Sequence, residues 1–316
     1  MSAHASENSR QSLAARLWEY QKERFPVAQH GLLILTFTFS AISYSRICRG
    51  AEGFIPLPLF VIGAFTSISL FLLLRIFDEF KDAEEDARYR PYRPVPRGLV
   101  TLRELRRIAI VTIAVILLLN AATMPVMLWA LLVALGYIAL MTREFFVPEW
   151  LKRRPIIYML SHMVIMPLVD LYTTGLDWIN NTVAPPRGLE FFLAVTFLNG
   201  IVIEVGRKIR AREAEETGVE TYSALYGPKR AAGGWLGILA LTYLSAALAA
   251  WYAGFGMWGI IVLSAVLIIC GAPAVMFIRR QESRYAKLIE TAAGIWTIAM
   301  YLTLGALPML LRWLGE

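Results

Sequence analysis

Histidine, cysteine and charge are all scarce in this chain. Three histidines (His4, His30, His162) are scattered over 316 residues, too thinly for a metal cluster. The two cysteines, Cys48 and Cys270, lie in or beside apolar stretches without metal-ligand spacing. That makes them packing residues and leaves the redox compartment unread. Charged residues amount to only 17%, against about 25% in a soluble domain. With 57% hydrophobic residues and a mean hydropathy of +0.55, the shortage of charge excludes a water-soluble globule and predicts an integral membrane protein. A cleavable signal peptide is not expected either, because residues 1–26 are polar and have no apolar h-region. Leu13, Leu17 and Tyr20, with Trp18 beside them, instead predict a short amphipathic helix at the membrane surface, an anchor or lid.

What the chain does have is long apolar runs. They fall at about 27–45, 55–77, 105–121, 124–141, 156–174, 189–205, 231–252, 257–278 and 289–311, each of spanning length. The third and fourth are joined by Asn120-Ala-Ala-Thr-Met-Pro125 and read as a tight hairpin. With residue 1 on the cytoplasmic side, 27 of the 31 Lys and Arg fall in inner segments, leaving Arg46, Arg49, Arg187 and Arg312 outside. The expected architecture is all-α, with a surface segment over 1–26 and one nine-helix domain over 27–313. The N-terminus is expected in the cytoplasm and the C-terminus outside a bacterial-type inner or plasma membrane. The net charge of +7 is then a cytoplasmic collar attracted to anionic lipid headgroups, and short interhelical loops exclude nucleic-acid binding.

The acidic residues inside that collar need their own explanation. Asp78, Asp82 and Asp86 follow the second run directly, and on a continuous helix steps of four keep all three on one face. The run Arg88-Tyr89-Arg90-Pro91-Tyr92-Arg93-Pro94-Val95-Pro96-Arg97-Gly98 comes next. Carboxylates that hold Mg²⁺ beside arginines that grip phosphate oxygens suggest a site for a diphosphate ester. The plainer alternative is a solvated helix end whose pairs contribute about 0.3–0.5 kcal/mol each. A second charged loop follows the sixth run: Glu204-Val-Gly-Arg207-Lys208-Ile-Arg210-Ala-Arg212-Glu213-Ala-Glu215-Glu216-Thr-Gly218, continuing to Gly227. Its position, four helices after the first, suggests two pseudo-equivalent halves converging over one cavity.

In these features the chain resembles the UbiA superfamily of intramembrane prenyltransferases, nine-helix proteins with aspartate-rich loops after helices two and six. Members typically carry N-x-x-x-D-x-x-x-D and then an R-P-x-P-S-G-like run; here Asp78-x-x-x-Asp82-x-x-x-Asp86 precedes Arg93-Pro94-Val95-Pro96-Arg97-Gly98. The resemblance implies nine helices around a central apolar cavity, capped by cytoplasmic loops after helices two, four and six. It also implies a Mg²⁺-bound prenyl diphosphate at the cytoplasmic mouth, with Asp78, Asp82 and Asp86 as metal ligands. Asp78 stands where Asn is usual, which keeps an oxygen ligand and adds a negative charge. The second loop departs further. Its tail, Gly218-Val219-Glu220-Thr221 and Leu225-Tyr226-Gly227, is similar to the family's, but Arg207, Lys208, Arg210 and Ala211 fall on or near the expected aspartates. Glu204 and Glu215 are the carboxylates left for a second metal, and cations here are expected to replace metal charge and contact diphosphate directly. After span four the family carries a Lys-Arg pair that reaches the diphosphate, matched by Lys152 and Arg153; positive-inside anchoring is the alternative.

Ionisable groups inside a bilayer cost about 2.5–3.5 kcal/mol and usually face a cavity or partner. On helix five, His162 is expected to pack by a hydrogen bond or to orient an acceptor, and Asp170 to reach outer interfacial water. Asn199 lies on helix six. The expected function is ionisation of a prenyl diphosphate and transfer of the prenyl group to an aromatic or lipid acceptor. The rival is a terpene cyclase of the same superfamily, with no acceptor; a non-catalytic transporter is disfavoured because the charges crowd one face rather than the midplane.

Overall fold

The computed structural model describes residues 12–315, so residues 1–11 of the expected surface segment lie outside it. Helix α1 (Leu13–Arg24) precedes the first of nine helical stretches that are long and apolar enough to cross a membrane among the described residues. These are α2 (Val27–Arg49), α3 (Leu57–Lys81), α5 (Leu102–Thr123), α6 (Leu128–Thr142, led in by a 3₁₀ turn at Pro125–Met127), the pair α8 (Pro155–Met163) and α9 (Ile165–Trp178), α10 (Leu189–Gly206), α12 (Pro228–Tyr252), α13 (Gly256–Arg280) and α14 (Ser283–Tyr301) with its continuation α15 (Leu307–Gly315). Short helices α4 (Ala83–Tyr89), α7 (Pro148–Lys152) and α11 (Tyr222–Tyr226) belong to the three loops that share one face of the bundle, the loop face.

The helices run a few residues past the apolar runs because charged residues can continue a helix beyond the hydrocarbon. Two spans are interrupted, and proline accounts for both. Pro167 has no N–H and its ring clashes with the carbonyl four residues back, at Met163, so the fifth span breaks at Val164. Pro308 acts on Leu304 in the same way, and the last span opens into a π-turn over Leu302–Ala306. That turn lies against α2 with almost no side chain between them. A Cβ on Gly305 would stand 2.0 Å from the Ser40 carbonyl oxygen. First and last spans therefore touch backbone to backbone, and α2 also packs on α3 and α9.

Buried carboxylates sit inside this frame. At the opposite face, Asp177 is fully buried and receives Arg46 at 3.0 Å, Arg49 at 2.7 Å and the Ser45 hydroxyl at 2.9 Å. Asp170, expected at interfacial water, is instead wholly enclosed, taking hydrogen bonds from Tyr301 and Thr173 at 3.2 Å each. This aspartate, on α9 beyond the break, faces Tyr301 at the end of α14 rather than the membrane boundary.

Helix α1 is amphipathic, as its spacing predicts, with Leu13 and Trp18 exposed and Tyr20 buried. Its polar side is fastened to the first loop. Arg16 reaches the Leu99 carbonyl at 3.0 Å and Glu104 at 2.7 Å, Arg97 reaches Glu19 and Glu23 at 2.9 and 2.6 Å, and Arg24 pairs with the buried Glu79. Hydrogen bonding from Arg97 holds the Glu23 carboxyl below its ordinary range.

Gly305→Ala should therefore destabilise the protein by about 1–3 kcal/mol or more, because backbone cannot retreat as a side chain can. Gly294→Ala, in open space on α14, serves as the control and should leave the thermal midpoint in detergent unchanged or slightly higher.

Candidate active site at the loop face

The first charged motif is not one straight helix. Its i→i−4 hydrogen bonds continue (Asp82 N to Asp78 O at 2.9 Å, Asp86 N to Asp82 O at 2.8 Å), but Asp82 itself has φ −92° and ψ 6°, and the chain bends there from α3 into α4. The three aspartates on either side of this bend have different surroundings. Asp78 is partly exposed, with Arg75 at 3.6 Å. Asp82 is partly buried beside Lys81, and its carboxyl is pushed above its ordinary range by burial and by the neighbouring carboxylates Asp78, Asp86 and Glu85, with Lys81 opposing. Asp86 is buried and held by Arg90 at 3.0 Å and Arg93 at 2.5 Å. Among the described residues no three His, Cys, Asp or Glu side chains form a ready metal-binding group.

The second loop starts where α10 ends. Glu204 accepts from Arg207 at 2.5 Å and from Lys208 at 2.8 Å, and the Lys208 ammonium lies 5.8 Å from the Tyr222 ring centroid. The Lys208 carbonyl accepts from Tyr222 N at 3.1 Å and Ser223 Oγ from Arg210 N at 2.9 Å, so the loop folds back along itself. Arg210 turns to Glu216 at 2.8 Å, and Glu215 is held by the Thr221 hydroxyl at 2.7 and 2.8 Å. The Arg207 guanidinium is raised above its ordinary range: burial opposes the charge, but Glu204 and then Asp78 outweigh it. The field of Asp78 thus reaches the second loop. A direct contact joins the loops as well, because Gly218, at φ +77°, lies under the Tyr89 ring where a Cβ would stand 2.4 Å from it.

The loop after span four supplies a third side. Lys152 approaches Glu85 at 3.7 Å, linking α7 to α4. Arg153 is exposed and lines a surface hollow of about 490 Å³ with Glu149, Trp150 and Arg154, away from the aspartates. The turn before α7 was not legible in the sequence. Glu144, Phe145 and Phe146 have φ of +46°, +53° and +61°, three successive non-glycine residues in the left-handed region. This turn buries Glu144, which accepts from Tyr158 Oη at 3.4 Å, and sets Phe145 edge-on to His162.

Lys81 is the main site residue that sequence reasoning missed, and its partner is Tyr158. Lys81 Nζ donates to Tyr158 Oη at 2.6 Å, and the Tyr158 ring stacks on His162 with centroids 4.1 Å apart. The position of Lys81 between Asp78 and Asp82 was the available signal; a contact with helix five was not. His162 Nδ1 is bonded to the Tyr158 carbonyl at 2.8 Å, while its Nε2, both amide atoms of Asn199 and Trp296 Nε1 are buried without a partner.

The family model for the UbiA prenyltransferase family matches residues 34–298, and the chain belongs to that family. It is an integral membrane protein of prenyltransferase type. No curated protein sequence matches it. Among solved structures it is similar to digeranylgeranylglyceryl phosphate synthase (16% identity, TM-score 0.64, covering 93% of this chain and 99% of that one). It is also similar to a UbiA homolog from Aeropyrum pernix K1 without ligand (16%, TM-score 0.62, 85% and 97%). A UbiA homolog from Archaeoglobus fulgidus bound to DMAPP and Mg²⁺ matches at 12% identity and TM-score 0.52, over 87% and 97%.

If Gly218 is where the two loops touch, Gly218→Ala should lower the thermal midpoint more than Gly50→Ala. Gly50 has a similar φ of +68° but open space around it, so it reads the backbone cost alone. Tyr89→Ala in the Gly218→Ala background should recover the difference between them.

Proposed function

We propose that the protein is a Mg²⁺-dependent intramembrane transferase that ionises a prenyl diphosphate and passes the prenyl group to an aromatic or lipid acceptor. The observation that carries this reading is the contact of the two charged loops, with Gly218 under the Tyr89 ring, which brings the aspartate loop from one half of the bundle against the cationic loop from the other. Support also comes from the family and from the relative bound to DMAPP and Mg²⁺.

The donor set fits one magnesium ion. Mg²⁺ usually keeps several waters and takes one or two carboxylates plus substrate phosphate, so a closed three-acid cage is not required. Asp78 and Asp82 are the pair we assign to it, since burial and then the neighbouring carboxylates raise the Asp82 carboxyl, and a bound cation would favour its ionised form. When bound, the ion supplies positive charge to the diphosphate oxygens. Asp86, expected as a third ligand, fits better as the residue that orients Arg90 and Arg93 toward the diphosphate. Glu204 and Glu215 are already matched by Arg207, Lys208 and Thr221, and that pairing favours a cationic lip over a second metal.

In this mechanism Arg93, Arg207 and Lys208 hold the diphosphate oxygens, the last two exchanging Glu204 for substrate. The charge-assisted, paired geometry of guanidinium and phosphate favours that exchange. Lys152 stands beside Glu85 at the rim; Arg153 and Arg210 point away and would have to swing inward. Heterolysis of the allylic C–O bond leaves both bonding electrons on diphosphate, where these cations stabilise them, and an allylic cation that apolar walls shield from water. The unpartnered atoms of His162 and Asn199 are suited to an acceptor's polar group. The acceptor's nucleophilic atom then forms the new bond to carbon and loses its proton. The loop face, with its excess of Lys and Arg, is assigned to the cytoplasm, which puts the N-terminus inside and the C-terminus outside a bacterial-type inner or plasma membrane.

Purified protein with Mg²⁺ and prenyl diphosphates of several lengths should release diphosphate only when an acceptor is present. Hydrocarbon or terpene alcohol formed without acceptor would overturn transfer in favour of cyclisation, and no metal-dependent release at all would overturn both. Asp82→Ala should abolish turnover while the protein still inserts and folds. Lys208→Asp should weaken diphosphate binding; unchanged or tighter binding would return the second loop to a metal-binding role. Protonation also follows from Asp82. Its raised carboxyl is partly neutral at acid pH and Mg²⁺ binds the ionised form, so binding should release a proton, increasingly as pH falls toward the carboxyl's own range. Calorimetry in buffers of different ionisation enthalpy should detect this release in the wild type and not in Asp82→Asn.

A further inference from the structure

A groove of about 440 Å³ lies between the loop-face ends of α3, α5 and α6 and meets the candidate active site only at Lys81. Its floor is apolar, with Phe77 and Phe80 from α3, Ala109 and Ile113 from α5 and Ala139 from α6. Its rim is cationic: Lys81, Arg106 and Arg143, one from each helix or its cap. No carboxylate lines it. The three cations are remote in sequence and converge because α3 and α6 end on the face where α5 begins. Ile113 lies two turns below Arg106, about 10 Å along the helix, so charge lies above and hydrocarbon below.

The cations differ in how far they are already satisfied. Lys81 donates to Tyr158 and lies within electrostatic reach of Asp78 and Asp82. Among the described residues, the Arg106 and Arg143 guanidinium groups have no hydrogen bond or ion pair to another side chain. Two such groups above an apolar slot match an amphiphile with an anionic phosphate head. We propose that this groove binds one phosphate-headed anionic bilayer lipid, its headgroup between Arg106 and Arg143 and one chain along the floor. The competing explanation is diffuse attraction of anionic lipid to the whole basic collar. Arg107, on the same helix but outside the groove lining, separates the two.

The test is native mass spectrometry of the full chain in detergent titrated with phosphatidylglycerol. One saturable adduct is expected. Arg106→Ala with Arg143→Ala should weaken it at least tenfold, and Ala139→Trp, which fills the floor, should weaken it too. Arg107→Ala should stay within twofold of wild type. If either alanine variant aggregates, the Gln versions remove the same charge while keeping bulk. Equal weakening by Arg107→Ala, adducts that do not saturate at one, equal affinity for phosphatidylcholine, or displacement by inorganic phosphate alone would each overturn the proposal.

Discussion

A carboxylate at the end of an apolar helix needs a counter-charge, and most of the loop face is arranged by that need. Glu79 takes Arg24, Asp86 takes Arg90 and Arg93, Glu204 takes Arg207 and Lys208, and Glu104 takes Arg16. Each of these pairs also fixes a piece of chain: a surface helix, an arginine-rich loop, or the start of the second loop. Asp78 and Asp82, in the first loop, are poorly compensated, the first with a long contact to Arg75, the second with its ionisation suppressed. A site that must attract a cation and then a phosphate ester is served by that shortfall, because a fully paired carboxylate would have to break a bond before it could bind.

The opposite face shows the same rule carried to completion. Asp177 is surrounded by two guanidinium groups and a hydroxyl, and removing either arginine would leave a buried charge short of its partners. Breaking such a pair typically costs about 3–5 kcal/mol. One end of the bundle is thus locked by closed ion pairs, while the other keeps its charges available. The backbone contact of Gly305 with α2 joins the first and last spans across this frame.

The spans were legible because hydropathy and the side preference of Lys and Arg are properties of the chain itself. The family was legible because the spacing of Asp78, Asp82 and Asp86 and the run Arg93 to Gly98 survive in one dimension. What could not be read depends on bends. Asp86, beyond the α3–α4 bend at Asp82, is taken up by Arg90 and Arg93, and Asp170, beyond the break at Val164, bonds Tyr301 in the interior. Pro167 was visible, but its consequence for a residue further along required the packing of the last helix. Lys81 was read as a helix-surface partner of its neighbours because its true partner, Tyr158, belongs to another helix.

The turn at Glu144 to Phe146 has a consequence for how the site is held together. Three successive residues with side chains in the left-handed region hold a conformation each would leave if freed, at a cost of about 1–3 kcal/mol apiece. Two backbone hydrogen bonds hold them, Phe146 N to the Arg143 carbonyl at 2.9 Å and Val147 N to the Glu144 carbonyl at 3.0 Å, with a long hydrogen bond from Tyr158 to Glu144 and the edge of Phe145 against Tyr137 and His162. Tyr158 is also the partner of Lys81, so the turn, the fifth span and the acidic loop meet at a single phenol oxygen. A substitution there would be felt in three separate parts of the site at once.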